Sequence, residues 1–432
     1  MAAVSGKQVA TPAKELVAKA VRARRASREL AGVATSAKNA ALRNIADALL
    51  DRSAVVLAAN EQDLDAGREA RLAENVLGRL VLNEARLGGM ATDVLSIAAL
   101  PDPVGETTDE RVLPNGLRAG RRRVPLGVIG AIYESRPNVT VDISALCLKS
   151  GNAVILRGGK EAINSNTALA RLVRESVERA GVPEDAVQFV ESTDRSLVSQ
   201  MLRMKEYIDL IVPRGGADLV HRVADEAEMP AITGGIGVCH AYVDRSADLE
   251  MAINVVNDSK VTSPYVCNAL DTVLVHSSVA PAFLQRLAAL WADAGVEMRC
   301  DGRAMTLVGP VDGAVVTAAG DEDWGTEFLA LTAAVRVVDS LDEALEHIDE
   351  HGSGHTDAIV TEDYTAASRF LDAVDSSMVV VNASTRFNDG ARLGLGAEVA
   401  ISTNKMHARG PMGLRELTTY KWTVQGSGQV TG

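Results

Sequence analysis

Cysteine is sparse and unpatterned: four residues, at 147, 239, 267 and 300, with no CxxC pair. That excludes a disulfide scaffold and the common zinc modules. The seven histidines are scattered and no pair has metal-ligand spacing, so no metal is expected. Aromatics make up only 3% of the chain, and the formal charge is −13. With a pI near 5.1, this is not the basic face of a nucleic-acid binder, and none is expected as partner. No apolar run approaches the ~18 residues of a bilayer span. The opening Met1-Ala-Ala-Val-Ser-Gly-Lys7 has no hydrophobic core of a signal peptide. A cytoplasmic, reducing location without membrane attachment is the expectation. Missing too are GxGxxG and GxxxxGK[ST]; Gly234-Gly235-Ile-Gly237 does not extend to either.

What is present is material for packed α/β cores. Hydrophobic residues make up 47% of 432, rich in Ala, Val, Leu and Gly. That is too long for one ordinary core, so two or three domains are expected. Residues 12 to 100 carry a helical pattern, with Leu42, Ile45, Ala46, Leu49 and Leu50 on one stripe and Thr35 or Ser36 as N-cap. Asn115-Gly116 lies between two short extended runs, the strongest short-range hairpin signal. The following Arg121-Arg122-Arg123 fits a solvated strand face or a subunit contact better than a phosphate site.

From residue 124 onward, apolar strands alternate with helices of ten to fifteen residues. Strands are expected at 127–133, 152–156, 208–212, 271–276, 358–361 and 378–382. Helices are expected at 139–150, 166–180, 279–294, 341–350 and 364–373, with one more after Gly215-Gly216. This is the signature of βαβ units and parallel sheets. The tail Thr418–Val424 reads as a polar edge strand in need of a partner.

One thiol stands apart. Cys267 lies in Ser259-Lys-Val-Thr-Ser-Pro-Tyr-Val-Cys-Asn-Ala-Leu-Asp271, a Ser/Pro-broken loop before a strand. A packing cysteine sits among apolar neighbours, whereas a reactive one needs exposure, a polar shell and nearby N–H donors. Tyr133-Glu-Ser-Arg136-Pro-Asn138 falls between a strand end and a helix start, where open α/β sheets bind ligands. Asn138 reads either as a helix N-cap or as an amide donor to an oxyanion. Arg157-Gly158-Gly159-Lys160 follows a strand and reads either as a tight turn with solvated charges or as a nucleotide-phosphate site.

Several blocks resemble the γ-glutamyl phosphate reductase family of the aldehyde dehydrogenase superfamily. They are Val124–Asp142, Gly151–Glu161, Pro213–Gly216, Val266–Thr272 and, most specifically, the twenty residues Gly394–Gly413. The similarity runs in order from about residue 12 to 424. It implies an aldehyde-dehydrogenase-like α/β fold: two doubly wound α/β domains with a small β oligomerisation flap. The implied partition is 1–110 with 125–260 as the NADP-binding domain and 261–410 as the catalytic domain. Residues 111–124 and 411–432 would form the oligomerisation hairpin and tail strand.

The resemblance implies Cys267 as nucleophile and Asn138 as oxyanion donor. It implies NADPH or NADP as cofactor, held by Arg157, Lys160, Arg214, Gly215, Gly216 and Glu327. Glu398 would bind the substrate ammonium. Arg136 and Arg409 are candidates for the substrate phosphate, with ion pairs to neighbouring carboxylates as the other reading. The implied reaction is NADPH-dependent reduction of L-glutamyl 5-phosphate to L-glutamate 5-semialdehyde in proline biosynthesis, through a cysteine thioester. The partners implied are that small-molecule substrate, further copies as a homodimer or tetramer, and glutamate 5-kinase. Hydrolytic relatives carry a Glu ahead of their Gly-Gly; here Pro230-Ala-Ile-Thr233 has none, which spares a thioester from water. An oxidising NAD(P)-dependent aldehyde dehydrogenase is the alternative enzyme, and a silent binding subunit the alternative outside catalysis.

Overall fold

A computed structural model describes residues 11–234 and 236–431. The chain divides into two compact units: one runs through Thr233 and takes back Leu395–Ala400 and the segment from Met412, the other holds Gly234–Gly394 and Ile401–Pro411. The division falls at 233/234 instead of 260, because the strand Cys239–Val243 belongs to the second unit's sheet.

The first unit opens with five helices, α1 (Pro12–Leu30), α2 (Thr35–Asp51), α3 (Ser53–Glu69), α4 (Glu74–Leu80) and α5 (Glu84–Ala99). In α2, Leu42, Ile45, Ala46 and Leu49 are buried as expected, but Leu50 faces solvent. Thr35 does not cap: Ala34 holds that position, and the Thr35 hydroxyl donates to Asp102 Oδ2 at 2.7 Å. The strands β1 (Thr107–Val112) and β2 (Arg118–Pro125) form the hairpin around Asn115-Gly116, with Gly116 at φ +85°. There follow β3 (Val128–Tyr133), α6 (Asn138–Lys149), β4 (Ala153–Arg157), α7 (Ile163–Glu178), β5 (Val187–Phe189), α8 (Ser196–Met201), β6 (Leu210–Arg214) and α9 (Ala217–Glu226). Their parallel sheet has order β5-β4-β3-β6. Every residue of β3 and β4 is buried, as expected for strands covered on both faces. The order reverses between β3 and β6, so the loops after Tyr133 and Arg214 open at a topological switch point.

The second unit contains β7 (Cys239–Val243), α10 (Leu249–Val261), β8 (Leu270–His276), α11 (Ala280–Ala294), β9 (Glu297–Cys300), α12 (Gly302–Val308) and β10 (Val315–Ala318). It continues with β11 (Thr332–Val338), α13 (Leu341–His351), β12 (Thr356–Val360), α14 (Tyr364–Ala373) and β13 (Met378–Val381), then a short antiparallel pair, β14 (Ile401–Ser402) and β15 (Gly410–Pro411). Seven strands run parallel in the order β10-β9-β11-β8-β7-β12-β13. Phe283 and Trp291 pack one face with Val273 and Val335, while Tyr242, Leu274, Ile359 and Phe370 fill the other.

The tail β16 (Thr418–Gln425) pairs antiparallel with β2 of its own chain, giving a three-stranded sheet β1-β2-β16 in the first unit. Its partner is therefore internal. The arginines of β2 serve this sheet: Arg121 lies 4.5 Å from the Tyr420 ring centre and 5.0 Å from that of Trp422, and Arg123 donates to Thr418 Oγ1.

The helix α6, which carries Asn138, is tied to the N-terminal helices by a buried cation. Lys38 Nζ lies 2.5 Å from Asp102 Oδ2 and donates to the Lys149 carbonyl at 3.1 Å. Lys38→Met leaves Asp102 buried without its counter-charge and is expected to cost about 3 kcal/mol. Urea denaturation of the two forms measures it; a difference below ~0.5 kcal/mol contradicts that role.

Candidate active site

In the first unit, β3 delivers Tyr133 to a loop that turns into α6. Ser135 adopts φ +44°, a conformation costing on the order of 1–3 kcal/mol in a non-glycine residue. Glu161 holds it there, accepting from both the Ser135 N–H (2.7 Å) and hydroxyl (2.9 Å). Asn138 is the first residue of α6 and does not cap it; Pro137 holds the cap position. Its amide instead donates through Nδ2 to Asp142 Oδ2 at 2.8 Å, one turn further on. An amide nitrogen carries two N–H bonds, so this anchor fixes its direction and leaves the second for a ligand. Burial pushes the Asp142 carboxyl up to about 7, against the Asn138 donation.

Five of the residues expected to hold a dinucleotide, Arg157, Lys160, Arg214, Gly215 and Gly216, stand at the carboxyl ends of β4 and β6. Arg157 is 8% exposed; its terminal nitrogens donate to Gly158 O and Thr193 O, and its Nε is buried with no partner. Burial pushes this guanidinium down. Lys160 beside it is exposed. At Gly215 a Cβ would meet Glu134 Oε2 at 2.5 Å, and the Gly216 N–H donates to that same oxygen at 3.0 Å. The start of α9 thus already accepts an anion, as helix N-termini do. An unmet buried donor, an exposed lysine and an anion-holding turn fit the phosphates of a dinucleotide. Glu398 is half-buried in a segment pinned by the Val399 N–H to Met412 O bond (2.9 Å). Arg136 is exposed in the loop after β3.

In the second unit, Cys267 lies in the loop between α10 and β8, partly exposed, whereas the other three cysteines are buried. The backbone of Gly237 presses on it: a Cβ at Gly237 would overlap the Cys267 carbonyl oxygen and lie 3.0 Å from Cys267 Cα. The N–H of Gly237 donates to Glu327 Oε1 at 3.0 Å. Burial raises the Glu327 carboxyl to about 7, with Asp271 adding to the effect. Asp271 ties the cluster together, accepting from the N–H groups of Phe328 (3.0 Å) and Cys239 (3.3 Å) and lying 3.8 Å from Lys260 Nζ. Burial raises Asp271 to about 6, opposed by Lys260.

Behind the nucleophile, the Cys239 thiol donates to the Cys267 carbonyl at 3.2 Å. In front, the turn Ser384–Asn388 is stapled to the neighbouring residue. Thr385 Oγ1 donates to Asn268 O at 2.7 Å, and Asn268 Nδ2 donates to Asn388 O at 2.9 Å. Arg386 lies between those two anchors and is 8% exposed. Sequence reasoning missed it, because Ser384-Thr-Arg-Phe-Asn-Asp-Gly390 matches no pattern and only the fold brings it to Cys267. Arg409 instead takes the ion-pair reading: its guanidinium donates to Asp375 Oδ1 and O, both at 2.6 Å.

Gly237, Cys267 and Glu327 lie at the amino edge of the sheet, ahead of β7, β8 and β11. A cavity of about 270 Å³ opens at the opposite, carboxyl edge, lined by Asp244, His276, Asp339, Asp342 and Arg369. Its charges are spent on one another and on neighbours, Asp342 on Arg369 and Asp339 on Arg303.

The Aldehyde dehydrogenase family profile matches residues 4–314. The γ-glutamyl phosphate reductase of Dehalococcoides mccartyi is 56% identical over 418 residues, covering 97% of this chain and 99% of that one. This chain belongs to the γ-glutamyl phosphate reductase branch of the aldehyde dehydrogenase family. The enzyme of that name from Roseiflexus castenholzii is 55% identical over 413 residues, 95% of this chain and 97% of its own. The crystal structure of the Thermotoga maritima γ-glutamyl phosphate reductase superposes with a TM-score of 0.94 at 44% identity, covering 97% of this chain and 100% of that one. The aldehyde-dehydrogenase-like α/β fold is therefore established for this chain. Among the described residues no helix is long and apolar enough to cross a membrane, and no group of three or more metal-ligating side chains occurs.

Gly237→Ala is expected to displace the Cys267 loop. Turnover should fall by at least about a hundredfold, with slower alkylation of Cys267 by iodoacetamide. Wild-type alkylation and turnover in that variant would show that the close approach carries no function.

Proposed function

We propose that this chain reduces L-glutamyl 5-phosphate to L-glutamate 5-semialdehyde and inorganic phosphate with NADPH, by way of a thioester on Cys267. The observation that carries the reading is the setting of Cys267. It is the half-exposed thiol of the four, in a loop clamped by Gly237 and backed by a second thiol, in a chain whose relatives bear the reductase name.

The Cys267 sulfur, as thiolate, attacks the acyl carbon; a C–S bond forms and the C–O bond to phosphorus breaks, its electron pair leaving with phosphate. Asn138 is assigned the oxyanion, using the N–H that Asp142 does not take. Loss of one such donor costs about 3 kcal/mol in other oxyanion holes. The nicotinamide, when bound, supplies hydride to the thioester carbon. Collapse of the resulting thiohemiacetal breaks the C–S bond, releasing the aldehyde and restoring the thiolate. Sulfur suits both halves, because it attacks readily and leaves again as a stable anion. The stretch Pro230-Ala-Ile-Thr233, which matches the glutamate-bearing stretch of hydrolytic relatives, holds no carboxylate, so water finds no base there.

Arg157 and Lys160 are assigned the adenosine ribose and its phosphate, Arg214, Gly215 and Gly216 the pyrophosphate, and Glu327 the nicotinamide ribose. Glu398 takes the substrate ammonium. The sheet β1-β2-β16, with Trp422 and Tyr420 each 48% exposed and Val424 58%, is assigned to contacts between copies in a dimer or tetramer. A cytoplasmic location and hand-over from glutamate 5-kinase complete the reading.

Cys267→Ser is expected to abolish phosphate-dependent NADP reduction from the semialdehyde while NADPH still binds. Unchanged turnover, or wild-type turnover indifferent to phosphate, sinks the proposal. Glu398→Ala should raise KM for the semialdehyde at least about tenfold with a smaller change in kcat; an unaltered KM removes that assignment.

Because burial lifts Glu327 to about 7, its carboxyl is ionised above that pH and protonated below. Ribose hydroxyls donate best to the ionised form, so NADPH should bind more tightly as pH rises from about 6 to about 8.5. Fluorescence titration should show that trend flattened in Glu327→Gln. Equal slopes in the two proteins contradict the assignment.

A further inference from the structure

A cation set into the interior normally finds a carboxylate. Arg386 does not: among the described residues its side chain makes no ion pair within 4.0 Å and no hydrogen bond, and its Nε is buried without a partner. Asp389 and Asp258 stand near enough to favour its charge but make no bond to it. Asp389 Oδ1 accepts from the N–H groups of Ala391 (3.0 Å) and Arg392 (3.1 Å), and Asp258 Oδ1 accepts from the Thr262 hydroxyl at 2.8 Å. The Arg386 guanidinium thus has no directly bonded acid, and it lies in a turn whose two ends are fastened to Asn268, the residue after the nucleophile. Ser384 reinforces the placement, its hydroxyl 3.0 Å from that of Ser259, which in turn accepts from the Thr385 N–H at 3.1 Å. The electrostatic influence of the Cys267 thiol reaches this guanidinium, opposing the downward push of burial.

We propose that Arg386 is the residue that binds the substrate's phosphate group beside Cys267, a role that rests on the acyl-phosphate reading above. A planar guanidinium offers paired N–H bonds that match two oxygens of a tetrahedral dianion, which a single ammonium does not. In the forward direction it meets the phosphate of the acyl phosphate and keeps it as the C–O bond breaks, offsetting the charge that passes from thiolate to leaving group. In reverse it holds inorganic phosphate for attack on the thioester carbon. No proton is transferred by Arg386 in either direction. Arg409, whose two terminal nitrogens both donate to Asp375, does not offer this.

The test uses the full-length chain and inorganic phosphate. Iodoacetamide alkylation of Cys267, mapped by mass spectrometry, is followed against phosphate concentration in wild type, Arg386→Met and Arg386→Lys. Phosphate should slow alkylation of wild type, and protection in Arg386→Met should need at least about tenfold more phosphate, with Arg386→Lys between them. KM for phosphate in semialdehyde oxidation should rise in parallel, while KM for NADP stays put. Equal protection in all three proteins, or none in wild type, overturns the proposal. The two readings fail separately. Arg386-dependent protection without phosphate-dependent turnover keeps the phosphate site and removes the reaction. Phosphate-dependent turnover with an unchanged phosphate KM in Arg386→Met and Arg386→Lys keeps the reaction and removes Arg386 from it.

Discussion

The contact between Gly237 and the carbonyl of Cys267 governs the second unit. Side chains of any size are excluded there, so two backbones meet directly and the nucleophile's loop loses its freedom to wander. The same Gly237 hands its N–H to Glu327, and the Cys267 carbonyl takes the Cys239 thiol. The path of the nucleophile's backbone is therefore set by main-chain contact, and its surroundings by the Glu327 carboxyl and the Cys239 thiol. Catalytic constellations tolerate little misplacement, and a clamp made of backbone is the stiffest available.

Buried polar groups extend that clamp. Asp271 gathers two N–H groups and a lysine from three segments, so the strand starts of β7 and β8 and the approach to β11 are held in one register. Such a network is costly if any partner is missing and specific when all are present. The price in stability is plain in the raised carboxyls of Asp271 and Glu327. In the first unit the same economy holds Ser135 in a strained conformation through Glu161, and Asn138 in one orientation through Asp142.

Much of the fold was legible because strands covered on both faces are continuous apolar runs. Val128–Tyr133, Ala153–Arg157 and Leu270–His276 emerged within a residue or two. The strands β5, β7, β9, β10 and β11 did not, since Cys239-His-Ala-Tyr-Val and Thr332-Ala-Ala-Val-Arg mix small and polar residues that become apolar surroundings only inside the sheet. That omission shifted the expected domain boundary from 233 to 260. At the site, Cys267 was legible from its polar loop, but the ligand rule for α/β sheets points to carboxyl edges, and this thiol lies at an amino edge. Arg386 was invisible: it lies 119 positions after Cys267 in sequence, and its neighbours follow no motif. Arg409 was misleading because sequence does not reveal that Asp375 claims it.

The central claim is that the Cys267 sulfur carries the substrate's acyl group. Intact-protein and peptide mass spectrometry after incubation with semialdehyde and NADP, without phosphate, tests it most directly. The account predicts a glutamyl adduct on the Cys267 peptide that persists in water and disappears when phosphate is added. An adduct on another residue, or none while NADPH accumulates, would contradict it.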